Sequence, residues 1–361
     1  MVLSVMIPQI LILSSLAQAE IWSWEYFRAP SINNISPIET TFEDFDGATF
    51  VGRYRFAGDA NYNQGFRLDR SSNPSAWTTI HDADVDGVIV YGIHGNIVAG
   101  EYQVVESLGN GINQSVYNGF FSTDSGATLN PLVLSGAASG SSAIPTGVVG
   151  SKIIGTYYSN PVTALQVAER GWYNRTNTGG LGFVHDTANA QTQYFSIANA
   201  ESTEAWGMLG NSVVFGQANF NDPTGLYAAG FLYDLTTQSE TILRSPFEDY
   251  ANTSFYGSDD ESRIVGVIGG SAESNGVRGI LYYVATQNWE LLDAPGATDT
   301  WAMSIHGDQI VGSAFFADPN GSGQYRVEGF IATAIPEPTS TLLLFLGGIF
   351  CLSLGRKRWL A

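Results

Sequence analysis

Cysteine is almost missing from this chain. The single Cys351 lies in an apolar stretch close to the C-terminus, so Glu20 to Ile335 holds no disulfide, no thiolate nucleophile and no cysteine metal site. Lysine is nearly as scarce, with only Lys152 outside the last residues. Against 34 Asp and Glu there are 15 Lys and Arg, a net charge of −19. Such a surface repels nucleic acid and anionic headgroups, which excludes partners that bind through a basic patch. Four histidines, His81, His94, His185 and His306, form neither an HExxH motif nor an HxH pair. No G-x-S-x-G elbow and no phosphate-cradling glycine loop is present.

What is plentiful is aromatic. Twenty Phe, seventeen Tyr and eight Trp exceed what a solvated chain carries, so a packed core is expected without covalent staples.

Both ends read as address signals. Met1 to Leu16 is apolar and almost uncharged, and Ala17-Gln18-Ala19 has the small-x-small form that signal peptidase accepts; residues 1–19 are therefore expected to be an export signal, helical in transit. No Lys or Arg precedes its apolar run, a departure from the usual pattern. Residues 336–361 open with Pro336-Glu337-Pro338, continue as an apolar run from Thr341 to Leu354 and stop at Arg356-Lys357-Arg358. At about 1.5 Å per residue that run spans roughly 21 Å as a helix, short of the ~30 Å hydrocarbon core. The basic cluster would remain cytoplasmic. The expectation is a short hydrophobic helix with transient membrane association, removed on processing.

Residues 20–335 repeat. β-Branched or aromatic residues followed by Gly recur as TFVG (49–52), IVAG (97–100), KIIG (152–155), VVFG (213–216), RIVG (263–266) and QIVG (309–312). Thirteen to nineteen residues beyond each glycine comes a second mark: Gly65-Phe66, Gly119-Phe120, Gly171-Trp172, Gly230-Phe231, Gly279-Ile280 and Gly329-Phe330. Alternating segments such as SAWTTIHDA (75–83) and QNWELLDAP (287–295) follow, and GIHGNIVAG (92–100) nearly repeats as SIHGDQIVG (304–312). A unit of roughly fifty residues with about four short strands fits a propeller blade. The last unit lacks its fourth strand, but Ser23-Trp24-Glu25-Tyr26-Phe27-Arg28-Ala29-Pro30 aligns with Asn288-Trp289-Glu290-Leu291-Leu292-Asp293-Ala294-Pro295. The expectation is an all-β, six-bladed β-propeller closed by that N-terminal strand, flanked by a signal helix and a C-terminal hydrophobic helix.

Candidate chemistry is sparse. Asp82, Asp84 and Asp86 alternate before Gly87, a spacing that can fold carboxylates around Ca²⁺, although an EF-hand would need Glu where Ile93 stands. A solvated acidic loop is the plainer reading of the same residues. His94 and His306 occupy one repeat position, suited to a turn. Trp24, Trp77 and Trp289 also repeat, which suits packing better than an exposed sugar platform. Carboxylates gathered on a rim could serve as a glycosidase pair, but no spacing selects one, and no catalytic residue is assigned.

The tail of Pro336, Glu337, Pro338, an apolar span and Arg356, Lys357, Arg358 resembles the PEP-CTERM sorting domain of Gram-negative bacteria. That resemblance implies export across the inner membrane, exosortase as a partner, and delivery to the cell surface or extracellular polysaccharide. The body more loosely resembles extracellular HAF-type repeat proteins: Ser304 to Gly312 is similar to their first half, whereas Gly329-Phe330-Ile331 lacks their His-Ala. Neither resemblance carries an activity. The expected function is a non-enzymatic structural, adhesion or glycan-contact module; the alternative is a propeller glycoside hydrolase or lyase acting on extracellular polysaccharide.

Overall fold

Runs of Val, Ile, Phe and Tyr punctuated by glycine favour pleated, half-buried surfaces, and twenty-five strands account for the regular structure among the described residues. The computed structural model describes residues 21–31, 35–56, 63–72, 74–109, 112–165, 179–222, 225–247, 252–259, 262–269, 276–317 and 325–335. Among them there is no helix, and so none long and apolar enough to cross a membrane. The expected signal and tail helices, with Ala17, Ala19, Pro336, Glu337, Pro338, Arg356, Lys357 and Arg358, lie outside the described residues. Two compact units are distinguished: Trp24–Thr333, and a unit made of both chain ends whose described residues are Ile21–Ser23 and Ala334–Ile335.

In chain order the strands are β1 (Ile21–Phe27), β2 (Pro37–Asp46), β3 (Thr49–Phe56), β4 (Gln64–Asp69) and β5 (Ala76–Ile80). Next come β6 (Gly87–His94), β7 (Ile97–Gly109), β8 (Ile112–Ser122) and β9 (Asn130–Pro131). They are followed by β10 (Ser142–Val149), β11 (Lys152–Tyr158), β12 (Val162–Leu165), β13 (Leu181–Asp186) and β14 (Gln191–Phe195). The remainder are β15 (Ser202–Leu209), β16 (Val213–Asp222), β17 (Gly225–Asp234), β18 (Ser239–Leu243), β19 (Asn252–Ser258), β20 (Arg263–Gly269), β21 (Arg278–Tyr283) and β22 (Asn288–Leu292). The last three are β23 (Asp299–His306), β24 (Gln309–Ala317) and β25 (Tyr325–Ile335).

Hydrogen bonding corrects the expected six separate blades. The strands form a propeller-like ring of five sheets: four separate sheets of four or five strands, and one of eight. The eight-stranded sheet runs β23-β24-β25-β2-β3-β4-β5, with β1 on β25. Its continuity comes from a parallel bridge between β2 and β25 at Glu39 and Val327, which fuses strands from the two ends of the body. A sequence repeat counts strands, and cannot show that two neighbouring groups will share hydrogen bonds. Another departure is β12, which leaves its neighbours in sequence to pair with β8 from Gln114 to Tyr117.

The two repeated marks now have a physical cause. In the second strand of each repeat the glycine lies under a carbonyl of the strand before it. A Cβ at Gly52, Gly100, Gly155, Gly216, Gly266 or Gly312 would collide with the carbonyl oxygen of Thr41, Ile89, Ile144, Glu204, Ser254 or Trp301 respectively. Only glycine permits that approach. On its other side each glycine pairs with the large residue of the second mark: Phe66, Phe120, Phe183, Phe231, Ile280 and Phe330. Those six side chains are fully buried and centre the core. In the third repeat the mark is therefore Gly182-Phe183 on β13, and the expected Gly171-Trp172 lies outside the described residues.

Candidate binding site on the ring axis

The strand that opens each repeat carries a β-bulge at one level. The register slips between Phe42 and Asp44 in β2, Val90 and Gly92 in β6, and Pro145 and Gly147 in β10. It slips again between Ala205 and Gly207 in β15, Phe255 and Gly257 in β19, and Ala302 and Ser304 in β23. A bulge leaves one residue unpaired and re-aims its side chain. The unpaired residues are Glu43, Tyr91, Thr146, Trp206, Tyr256 and Met303, and all six line one cavity. The axis is thus built from six unlike side chains delivered by one backbone device.

Small residues just after the bulges let the strands close into a ring. A Cβ on Gly92 would press on Gly147 and Val148, and one on Gly257 would press on Met303 and Ser304. The Thr146 hydroxyl donates to the Ala205 carbonyl, tying β10 to β15, and Ser258 Oγ donates to the Met208 carbonyl at 3.1 Å, tying β19 to β15. Asp44 completes the circuit. Its carboxylate accepts from Ser304 Oγ on β23 at 2.6 Å and from the Ile93 amide on β6 at 2.9 Å. The cavity volume is about 70 Å³. That admits a few waters, well short of the ~300 Å³ at the lower end for small-molecule pockets.

The axis is electrostatically tense. Burial pushes Asp44 up to about 6, against the pull of its Ser304 and Ile93 hydrogen bonds. Burial also raises Glu43, although Arg53 Nη1 stands 3.7 Å away and Thr41 Oγ1 donates to it at 3.1 Å. Arg53 is shared with Glu39 at 3.5 Å, and Arg55 pairs with Glu39 at 2.9 Å. Tyr91 donates its hydroxyl to Glu101 at 3.0 Å. Burial raises the Tyr256 phenol too, with Glu204 and Glu43 adding to it. Trp206 stands edge-on to Tyr256 at 4.6 Å and to Tyr91 at 6.0 Å, and its buried indole N–H has no hydrogen-bond partner. A second depression of about 520 Å³ lies between Gly276–Arg278 and Asp293–Thr300, where Arg278 pairs with Asp293.

The residues singled out by sequence go elsewhere. Among the described residues no group of three or more His, Cys, Asp or Glu side chains is arranged to hold a metal ion. Asp82 accepts the Asp84 amide at 3.0 Å, while Asp86 accepts the Val105 amide on β7 at 2.7 Å. Asp82 and Asp86 thus serve turn and strand. His94 and His306 are exposed and flank hairpin turns in which Gly95 and Gly307 take positive φ. Trp24, Trp77 and Trp289 cover Phe330, Phe66 and Tyr282 at 4.9, 4.7 and 4.7 Å. The axial residues escaped notice, yet a signal existed: each precedes its repeat glycine by nine or ten positions. Tyr91 and Met303 stand immediately before the two peptides that nearly match.

No protein-family model matches the chain, and neither does any curated protein. Among solved structures it is similar to a protein described as TolB from Agrobacterium tumefaciens, with 12% identity, 82% of this chain and 91% of that one covered, and a TM-score of 0.43. It is similar to the GH93 α-L-arabinofuranosidase of Fusarium graminearum, with 12% identity, coverage of 85% and 98%, and a TM-score of 0.43. The β-propeller domain of the Trilobed protease from Pyrococcus furiosus matches at 10% identity, coverage of 81% and 81%, and a TM-score of 0.40. Likeness this distant transfers no activity, substrate or partner to the present chain.

Proposed function

We propose that this chain is a non-catalytic propeller module of the bacterial exterior, acting as a structural, adhesive or glycan-contact protein. The observation that carries the proposal is the narrow axis. Glu43 and Asp44, the buried carboxylates with raised pKa, line a chamber of about 70 Å³ that has no room for a sugar ring. Both are occupied by structural partners: Arg53 and Thr41 for the first, Ser304 and Ile93 for the second. Export and surface sorting rest on Ala17, Ala19, Pro336, Glu337, Pro338 and the Arg356-Lys357-Arg358 stop, which fit exosortase processing with transient membrane attachment.

Two experiments test the proposal. Incubation of the purified protein with a panel of extracellular polysaccharides should release no reducing ends. Turnover that is lost on Glu43→Gln or Asp44→Asn would establish the hydrolase alternative instead. Mass spectrometry of surface-released protein should find the Trp359-Leu360-Ala361 end missing, and an intact end would refute the processing route.

A further inference from the structure

The ring axis is not lined alike on all sides. Between β6 and β10, Ile89, Tyr91, Tyr117, Ile144, Tyr158 and Val162 pack into a buried apolar cluster. The carbonyls of Ile89 and Ile144 overlie repeat glycines, and the equivalent carbonyls further round the ring belong to Glu204, Ser254 and Trp301. At that shared level the sector of β15, β16, β19 and β23 is polar, aromatic and half-buried: Glu204, Trp206, Gln217, Asn219, Tyr256 and Trp301 all keep contact with solvent.

These side chains form a polar ladder and a neighbouring set of rings. Ser254 Oγ donates to Gln217 Oε1 at 2.5 Å, and Gln217 Nε2 donates to Glu204 Oε2 at 2.9 Å. Asn219 Nδ2 donates to Glu204 Oε1 at 3.1 Å and to Ser202 Oγ at 2.8 Å. Tyr256 stands two residues beyond Ser254 on β19 and lies beside this ladder. Its own ring lies within 9° of parallel to Trp301, with centroids 6.3 Å apart, and meets Trp206 edge-on. Trp206 adds the unpartnered indole N–H.

We propose that this sector is a binding site for a neutral saccharide, with Trp206, Tyr256 and Trp301 supplying apolar faces and Glu204, Gln217 and Asn219 supplying paired hydrogen bonds. A sugar ring presents C–H faces that pack on aromatic rings, and neighbouring hydroxyls that bridge a carboxylate and an amide. Glu204, with Glu43 near Tyr256, repels an anionic ligand, and the ladder of amides and hydroxyls would be stranded by a purely apolar one. Trp206 and Tyr256 also line the narrow chamber on the axis, so the sugar packs on the solvent-facing side of this sector and does not enter the chamber. The inference rests on the glycan-contact reading and narrows it to one place.

The full-length chain, titrated with maltose, cellobiose and lactose and followed by tryptophan fluorescence and calorimetry, provides the test. Saturable binding is expected for at least one sugar. Glu204→Gln, which keeps size and removes charge, and Trp301→Ala should each weaken it by about tenfold, the equivalent of about 1.4 kcal/mol. Trp301→Phe should retain most of it, with melting curves confirming that each variant is folded. Sugar binding that ignores Glu204→Gln and Trp301→Phe alike, and that Trp301→Ala leaves intact in a folded protein, would overturn the axial site while leaving a glycan contact elsewhere. Absence of binding to all three sugars, or tighter binding of choline than of any sugar, would overturn the proposal; neither outcome bears on the sorting route.

Discussion

The inner and outer strands of these sheets obey different packing rules. Inside, backbone meets backbone. The Trp301 carbonyl occupies the space that a Cβ on Gly312 would need, and Phe330 closes the other side with no exposure. Outside, β1, β5 and β22 each lay a half-buried tryptophan over an aromatic ring of the strand next to them. The inner level tolerates no added atom, whereas the outer level covers the core loosely and keeps one face wet. Identity is therefore dictated at the inner glycines and only chemical type is dictated outside.

The largest expected effect tests that contrast directly. Gly312→Ala should cost about 4 kcal/mol, because strand separation is the only relief for the clash. Gly136→Ala, with φ of +79° but open space around it, should cost about 1 kcal/mol. Urea denaturation of both variants reads the difference, and equal losses would erase the distinction. Next in size, Phe66→Ala should lose about 3 kcal/mol by emptying a fully buried site, and Trp77→Ala on the same pair about half of that.

A smaller effect concerns pH. The Asp44 carboxyl is held up near 6 in the folded ring by burial, above its ordinary 3.8. The folded state therefore binds this proton more tightly than the unfolded chain does. The stability it contributes is fully present below about 4 and is lost as pH rises through about 6. Thermal melts between pH 4 and 7 should show Asp44→Asn with a flatter profile than the wild type over that window. An unchanged profile would mean that Asp44 is better hydrated than its seat between β2, β6 and β23 implies. The smallest effect belongs to the acidic loop. Changing Asp84 to Asn should shift stability by no more than about 0.5 kcal/mol, with or without added calcium. A calcium-dependent rise in melting temperature that this change removes would establish a metal site there.

Much of this architecture was legible because its constraints are absolute. A carbonyl pressed on Cα permits glycine alone, so the inner glycines recur visibly in the sequence, and the large residue that pairs with each, Phe in five repeats and Ile280 in the other, recurs with it. Bulge positions are constrained in backbone and free in side chain. Glu43, Tyr91, Thr146, Trp206, Tyr256 and Met303 share geometry without sharing chemistry, so composition hides them. The same freedom concealed the sheet count, since one bridge at Glu39 and Val327 joins groups of strands that the repeat shows as separate. The alternating aspartates were legible as a loop, and the structure adds that Asp82 and Asp86 each accept a backbone amide.

Closure of the ring through its own two ends is the claim on which the rest depends. Hydrogen exchange followed by mass spectrometry tests it most directly. The account predicts that amides of Trp24–Phe27 exchange as slowly as those of Tyr325–Thr333, and that Trp24→Ala speeds both segments together. Rapid exchange of Trp24–Phe27 alongside full protection of Tyr325–Thr333 would contradict it.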